Sequence, residues 1–321
     1  MHKVTKLLAS AALLVTSILT PLAAAEVEAE ETLKVGILQY VEHESLNQTY
    51  EGFLAELEAN GYVEGENLDV NYLNASADNA NLQSMSETLT NSSDYLFAIA
   101  TPAAQNLANI EKEKPIYFSA VTDAVGAKLV ESNEAPGGNM TGTIDAGPIE
   151  EQVNLLINIV PEADRVGLIY NSGETNSLSE AEKAKAVFAE KGIEVVESTV
   201  TSTNDISQIV GALAKEDIDA IFTVTDNTIA SAMTLVGDLA IEAGLPLIGG
   251  STDMTRENGL ATYGLDYYEL GRQTARMLLR QIEEDLSPSE MPVETAENLE
   301  LVVNEDVAEQ LGIDPSSIQA P

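Results

Sequence analysis

The chain has 321 residues, 44% of them hydrophobic, no cysteine, two histidines near the N-terminus, and 53 acidic against 15 basic residues for a formal charge of −38. That length supports two compact domains, while the residue counts exclude disulfides, thiolate metal sites and multi-histidine centres. The charge excludes nucleic acid as a partner, because no basic stripe neutralises phosphates; the acids are scattered along the chain and read as a solvated shell.

Residues 1–25 read as a secretory signal peptide. Lys3 and Lys6 are followed by an apolar run from Leu7 to Leu22 and then by Ala23, Ala24 and Ala25. The run is short and interrupted for a transmembrane helix, and no Cys is present for lipid attachment. We therefore expect an exported protein, in a periplasm or on the extracellular face of the membrane, not lipid-anchored through Cys.

From Leu33 the chain alternates strand-like and helix-like segments. Short apolar runs at Leu33–Tyr40, Leu68–Leu73, Tyr95–Ala100 and Pro115–Ser119 predict strands. Helical spacing covers Leu46–Ala59 and Asn81–Leu89, and Pro102 opens a third helix at a favoured first position. A turn-rich stretch, Pro136–Thr143, predicts a seam. The same grammar then restarts. Strands are expected at Val166–Tyr170, Val195–Val196, Ala220–Val224, Leu245–Ile248 and Leu260–Gly264. Helices are expected at Ile149–Ile159, Ser179–Glu190, Ile206–Ala214 and Ile229–Ala243. A long helix over Glu269–Ile282, extended chain at Val293 and Leu299–Val303, and a helix over Asp306–Leu311 complete it. Repeated strand–helix units imply parallel sheets flanked by helices, an α/β class with two Rossmann-like lobes. The chain left over after the second lobe implies a return to the first. We expect 33–143 plus about 265–290 in the N-terminal lobe and 144–264 plus about 291–315 in the C-terminal lobe.

Polar clusters fall just past the carboxyl ends of these strands, where ligands bind in open α/β sheets. Gln39, Tyr40, Glu42 and His43 follow the first strand. Thr101, Pro102, Ala103 and Ala104 follow the third, and Thr122 and Asp123 the fourth. In the second half Asn171 and Ser172, then Thr225, Asp226 and Asn227, then Gly250 and Asp253 hold the matching positions. Any one cluster also reads as a helix N-cap; together they point at one cleft. Arg272, Arg276 and Arg280 share one helix face and read as partners of nearby acids such as Glu269, Glu283 and Glu284. No nucleophile–base pair stands out, so the chain does not read as an enzyme. It also lacks the G-x-G-x-x-G fingerprint and the P-loop, and no cofactor is expected.

In order, Val35–His43, Ala100–Gln105, Ala120–Asp123, Pro136–Thr143, Thr225–Thr228 and Ala261–Tyr268 resemble the ABC-type substrate-binding proteins of the tryptophan/tyrosine group. The resemblance spans essentially the whole mature chain, although the family usually has Pro where this chain has Glu44. It implies a type I periplasmic-binding fold with three hinge crossings, an aromatic amino-acid ligand, and an ABC permease and ATPase as membrane partners. A ligand-sensing module for a membrane kinase or chemoreceptor is the alternative on the same fold. In such a cleft the N–H groups of Ala103 and Ala104 with the Thr101 and Thr122 hydroxyls suit a ligand carboxylate. Asp226, with Asp253 second, suits its ammonium. Asn171 and Ser172 add bonds from the opposite lobe, and Tyr40, Pro102 or Tyr267 would lie against the side chain.

Overall fold

In the computed structural model, which describes Thr32–Pro321, the apolar runs form buried strands and the periodic segments form the helices that cover them. The expected signal peptide lies outside the described residues. In chain order come β1 (Leu33–Gln39), α1 (Glu44–Ala59), β2 (Leu68–Asn74), α2 (Asn79–Ser92), β3 (Tyr95–Ile99), α3 (Thr101–Ile110), β4 (Ile116–Val121) and β5 (Met140–Ile144). Next are α4 (Ile149–Ile159), β6 (Arg165–Asn171), α5 (Thr175–Lys191), β7 (Glu194–Val200), α6 (Ile206–Leu213) and β8 (Ala220–Thr223). Then follow α7 (Asn227–Ala230), α8 (Met233–Glu242), β9 (Leu247–Gly249), α9 (Thr252–Glu257) and β10 (Ala261–Leu265). The last elements are α10 (Tyr267–Glu284), β11 (Glu294–Thr295), β12 (Leu299–Val303) and α11 (Glu305–Leu311).

The first sheet has the order β11-β5-β4-β3-β1-β2 with every pairing parallel. The second has the order β12-β10-β9-β8-β6-β7, parallel except where β12 runs against β10. Parallel strands need cover on both faces, which explains why β4, β5 and β8 are buried at every position. The α/β class is as expected, with two parallel-dominated sheets flanked by helices.

Three local expectations are corrected. The stretch read as a seam contains β5, because its hydroxyls find partners inside the protein. Thr141 Oγ1 donates to the Met291 carbonyl at 2.8 Å. Thr143 Oγ1 lies 2.9 Å from Ser119 Oγ and 2.7 Å from Thr274 Oγ1. The chain therefore first crosses between the sheets after Ile144. It crosses again between β10 and α10, and a third time between β11 and β12. Residues 291–295, expected with the second lobe, run along the first sheet instead: β11 pairs with β5, and Val293 N–H bonds the Asn133 carbonyl at 2.7 Å. The helix expected over Ile229–Ala243 is broken into α7 and α8.

Helix α10 returns to the first lobe and packs along α1. A Cβ on Gly52 would stand 2.0 Å from the Tyr268 carbonyl oxygen, and one on Gly271 would stand 2.0 Å from that of Thr49. Glycine at both positions lets the two backbones touch. The arginine face completes the contact. Arg272 pairs with Glu269 as expected and also with Glu56, Arg276 pairs with Glu56, and Arg280 with Glu294. Glu56 and Glu294 come from other elements, so helical spacing alone did not indicate them.

Candidate ligand-binding cleft

In the first sheet β1 lies between β2 and β3, and in the second β6 lies between β7 and β8. Each is the point where the strand order reverses, and the crevice lies beyond the carboxyl ends there. Tyr40 and Thr101 occupy it in one lobe, Asn171 and Asp226 in the other. The lobes meet over this crevice. His43 Nε2 is 3.2 Å from Asn227 Oδ1, Ser45 Oγ is 2.9 Å from Ser251 Oγ, and Ser179 Oγ donates to Asp123 Oδ2 at 3.0 Å. Between them is a deep cavity bordered by His43, Ser45, Asp145, Asp226, Ser251 and Tyr267, with about 10 Å³ of free space, roughly one water. A neighbouring cavity of about 320 Å³ is lined from both lobes by Tyr40, Leu82, Pro102, Gln105, Asn171 and Glu174, within the range of small-ligand sites.

The second-lobe wall is anionic. Asp226 caps α7, accepting the Ile229 N–H at 2.8 Å, and also takes the Asn171 N–H at 2.5 Å. Glu174 takes the N–H groups of Asn227 and Thr228 at 3.3 and 3.1 Å, the Thr228 hydroxyl at 2.8 Å and the Asn227 amide at 2.6 Å. Glu180 accepts the N–H of Gly147, in the first crossing, at 2.9 Å and that of Thr225 at 2.8 Å. Asp145, just past β5, accepts from the Thr122 hydroxyl at 3.0 Å and the Tyr267 hydroxyl at 2.8 Å. All four carboxylates are at most 2% exposed, and neither Lys nor Arg lines the two cavities.

Burial without a counter-cation shifts Glu180, Asp226 and Asp145. Burial pushes Glu180 up to about 7, with Asp145 adding to the rise against its backbone bonds. Burial, reinforced by Glu174, holds Asp226 well above the ordinary carboxylate range. Burial also raises Asp145, opposed by its bonds from Tyr267 and Thr122. The Tyr40 hydroxyl is raised by burial and then by Glu174 and Asp226. Burial takes His43 down to about 4. Because the Asn227 amide nitrogen is directed at Glu174, Asn227 turns its oxygen to His43, which is neutral and donates from Nε2.

Apart from Asp145 past β5, the first-lobe wall is neutral. Thr101 opens α3, and its hydroxyl is buried without a partner. The Gln39 Oε1 acceptor is buried and unpartnered as well, as is Asn176 Oδ1 on α5 of the second lobe. Ala100 and Ala120, at the ends of β3 and β4, have φ of 82° and 54°, a strain of about 1–3 kcal/mol each of the kind found at functional sites. The expected carboxylate holder shrinks. The Ala104 N–H already bonds the Ala100 carbonyl at 3.1 Å, Pro102 has no N–H, and the Thr122 proton goes to Asp145. The Thr101 hydroxyl and the first-turn N–H groups of Thr101 and Ala103 remain.

Other expected residues are placed as follows. Gln39 is fully buried, its amide nitrogen donating to the Val41 carbonyl and Asn47 Oδ1, both at 2.9 Å. Thr225 borders the deep cavity. Asp123 serves as the bridge to Ser179 already described. Glu42 is exposed at the outer mouth and Ser172 is exposed. The Gly250 carbonyl faces inward to Gln152 and Thr262 at 3.1 Å. Asp253 pairs with Arg256 at 3.0 Å, so it is not a free partner for an ammonium. The sequence reading missed Asp145, Glu174, Asn176 and Glu180. Asp145 follows a strand end as the other clusters do, and Glu174 lies three residues past Asn171, so both carried a signal. Glu180 sits within α5 and looks like any surface acid.

Residues 34–318 match the family model described as ABC transporter substrate binding protein. A tyrosine-binding protein of Clostridioides difficile is 34% identical over 285 residues, 88% of this chain and 82% of that protein. Among solved structures, an ABC domain from Streptococcus pneumonia in complex with L-Trp is 34% identical with a TM-score of 0.84, covering 89% of this chain and 96% of that one. The ligand-free, open structure of a substrate binding protein with adhesive properties from Clostridium difficile is 36% identical with a TM-score of 0.68, covering 88% and 96%. With identity nearly equal, this chain's shape lies nearer the ligand-bound structure than the open one, in keeping with the bridges across its crevice. Because the family match runs from β1 to beyond α11, through both sheets and all three crossings, the chain belongs to the ABC transporter substrate-binding proteins.

Proposed function

We propose that this chain binds an aromatic L-amino acid between its lobes, outside the cytoplasm, and presents it to the permease and ATPase of its importer. The observation that carries this reading is a cleft lined by Asp145, Glu174 and Asp226, with Glu180 buried behind Thr225, and with no Lys or Arg lining it. Buried carboxylates without a counter-ion call for a cation. A ligand ammonium between Asp145 and Asp226 supplies it. The ligand carboxylate sits at Thr101 and the start of α3, where free N–H groups and the helix dipole favour an anion. The ring occupies the cavity lined by Tyr40, Leu82 and Pro102. Relatives that bind L-Trp and tyrosine support that choice of side chain.

Two units move in this reading: 33–144 with α10 and β11, and 149–265 with β12 and α11. A receptor requires only 1:1 binding, closure and release of an unchanged ligand. Titration calorimetry with tryptophan, tyrosine and phenylalanine beside leucine and glutamate tests the assignment. We expect saturable 1:1 binding of at least one aromatic amino acid, recovered intact. Binding of leucine or glutamate with none of the three aromatic ligands would contradict it.

A further inference from the structure

We propose that the same cleft takes a second ligand class, aromatic primary monoamines, which are aromatic amino acids without their carboxylate. This rests on the reading above for the position of the ammonium and the ring. It follows from the unequal way in which the cleft provides for the two charged ends of an amino acid.

The ammonium end meets Asp145 and Asp226 at the deep cavity, with Glu174 and Glu180 buried close behind. An orphaned acceptor adds to this. Asn176 Oδ1 is an amide oxygen that only a donor can satisfy, and the residue is 3% exposed. Asn176 is fixed beside the cavity by its amide bond to the Thr225 carbonyl at 3.0 Å. A primary ammonium brings three N–H donors and a positive charge into a wall that has an excess of acceptors and negative charge.

The carboxylate end meets no cation. Neither cavity is lined by Lys or Arg. The Ala104 N–H and the Thr122 hydroxyl proton are already committed to Ala100 and Asp145. What is left is the unpartnered Thr101 hydroxyl and two backbone N–H groups at the start of α3. A carboxylate brought here gains neutral hydrogen bonds and the helix dipole, and is repelled by the carboxylates across the cleft. A monoamine forgoes those bonds and that repulsion together. An arylpropionate, which keeps the carboxylate and loses the ammonium, forgoes the main attraction and keeps the repulsion.

Calorimetry on the full chain with tryptamine, tyramine and indole-3-propionate beside tryptophan and tyrosine tests this. We expect at least one amine to bind within about thirtyfold of its parent amino acid, since only neutral bonds are lost, and the propionate to show no saturation. Thr101→Val should weaken the amino acid about fivefold and leave the amine unchanged. Amines weaker than about thirtyfold, a propionate as tight as the amine, or equal losses of both ligands in Thr101→Val would overturn the proposal. If the amino acids bind and the amines do not, this inference alone fails. If neither class binds, the proposed function fails with it.

Discussion

The wall beyond β1, β3 and β4 presents Tyr40, Thr101 and Thr122, whereas the wall beyond β6 and β8 presents Glu174 and Asp226, although the first five strands of each sheet share one order. Equal topology thus supplies equal positions, and the loop residues alone decide the chemistry at them. The anionic wall is held by its own backbone. Asp226 and Glu174 accept N–H groups of Asn171, Ile229, Asn227 and Thr228, which fixes their oxygens before a ligand arrives. The neutral wall keeps Thr101 Oγ1 and Gln39 Oε1 without partners. On this comparison we expect the second lobe to supply most of the affinity and the first lobe to complete the ligand's hydrogen bonds on closure.

The sharpest way to break that contrast is to neutralise the anionic wall. Asp226→Asn removes the charge and retains an oxygen for the Ile229 N–H. We expect affinity for the aromatic amino acid to fall about tenfold to hundredfold in calorimetry, the range for losing a bond to a charged group. Unchanged affinity would take Asp226 out of the site.

The pH dependence is next in size. Glu180 stands at about 7 and Asp226 is raised in the ligand-free protein. A bound cation lowers both, so binding releases protons and weakens as they become protonated. We expect affinity to fall about tenfold between pH 8 and pH 6. Stability of the ligand-free protein moves the other way. A carboxylate raised in the folded state contributes stability that is present below its unfolded value and is lost as pH rises through its folded value. This part of the stability therefore declines from pH 6 to pH 8, and the ligand-induced rise in Tm should widen over that interval. An affinity that is flat with pH would show that the ligand does not meet these carboxylates.

On the first-lobe wall Thr122→Val removes one hydrogen bond to Asp145 and leaves every carboxylate in place. We expect about a threefold to fivefold loss of affinity. A loss as large as that of Asp226→Asn would erase the distinction between the walls. Smallest is the effect of salt on the whole molecule. With a formal charge of −38, self-repulsion in the compact state is screened by added NaCl. A Tm that rises by a few degrees (roughly, for ~1 kcal/mol in a chain of this size) beyond physiological salt is expected, and a flat or falling curve would point to acids already paired.

Most of the fold was legible because parallel strands buried on both faces are written as unbroken apolar runs, as in Tyr95–Ala100. β5 was not, because Thr141 and Thr143 look like loop residues until Met291, Ser119 and Thr274 are beside them. β11 has two residues and no periodicity to read. In the site, Tyr40, Thr101, Asn171 and Asp226 were legible since they follow strand ends. Asp145 carries the same strand-end signal, which went unused because β5 before it was read as a seam, and Glu180 was hidden by the many acids of the chain. Asp253, the second candidate for the ammonium, has a partner in Arg256 one helical turn away, a pairing that the sequence reading did not weigh.

Small-angle scattering of the full chain with and without tryptophan or tyrosine tests most directly the claim that two unlike walls close on one ligand. The groups of the two lobes can meet a single amino acid only when the lobes approach. A saturating aromatic amino acid is therefore expected to reduce the radius of gyration, and Asp226→Asn to require a higher concentration for the same change. Tight binding with no change in the radius of gyration would place the site within one lobe and contradict closure between the two walls.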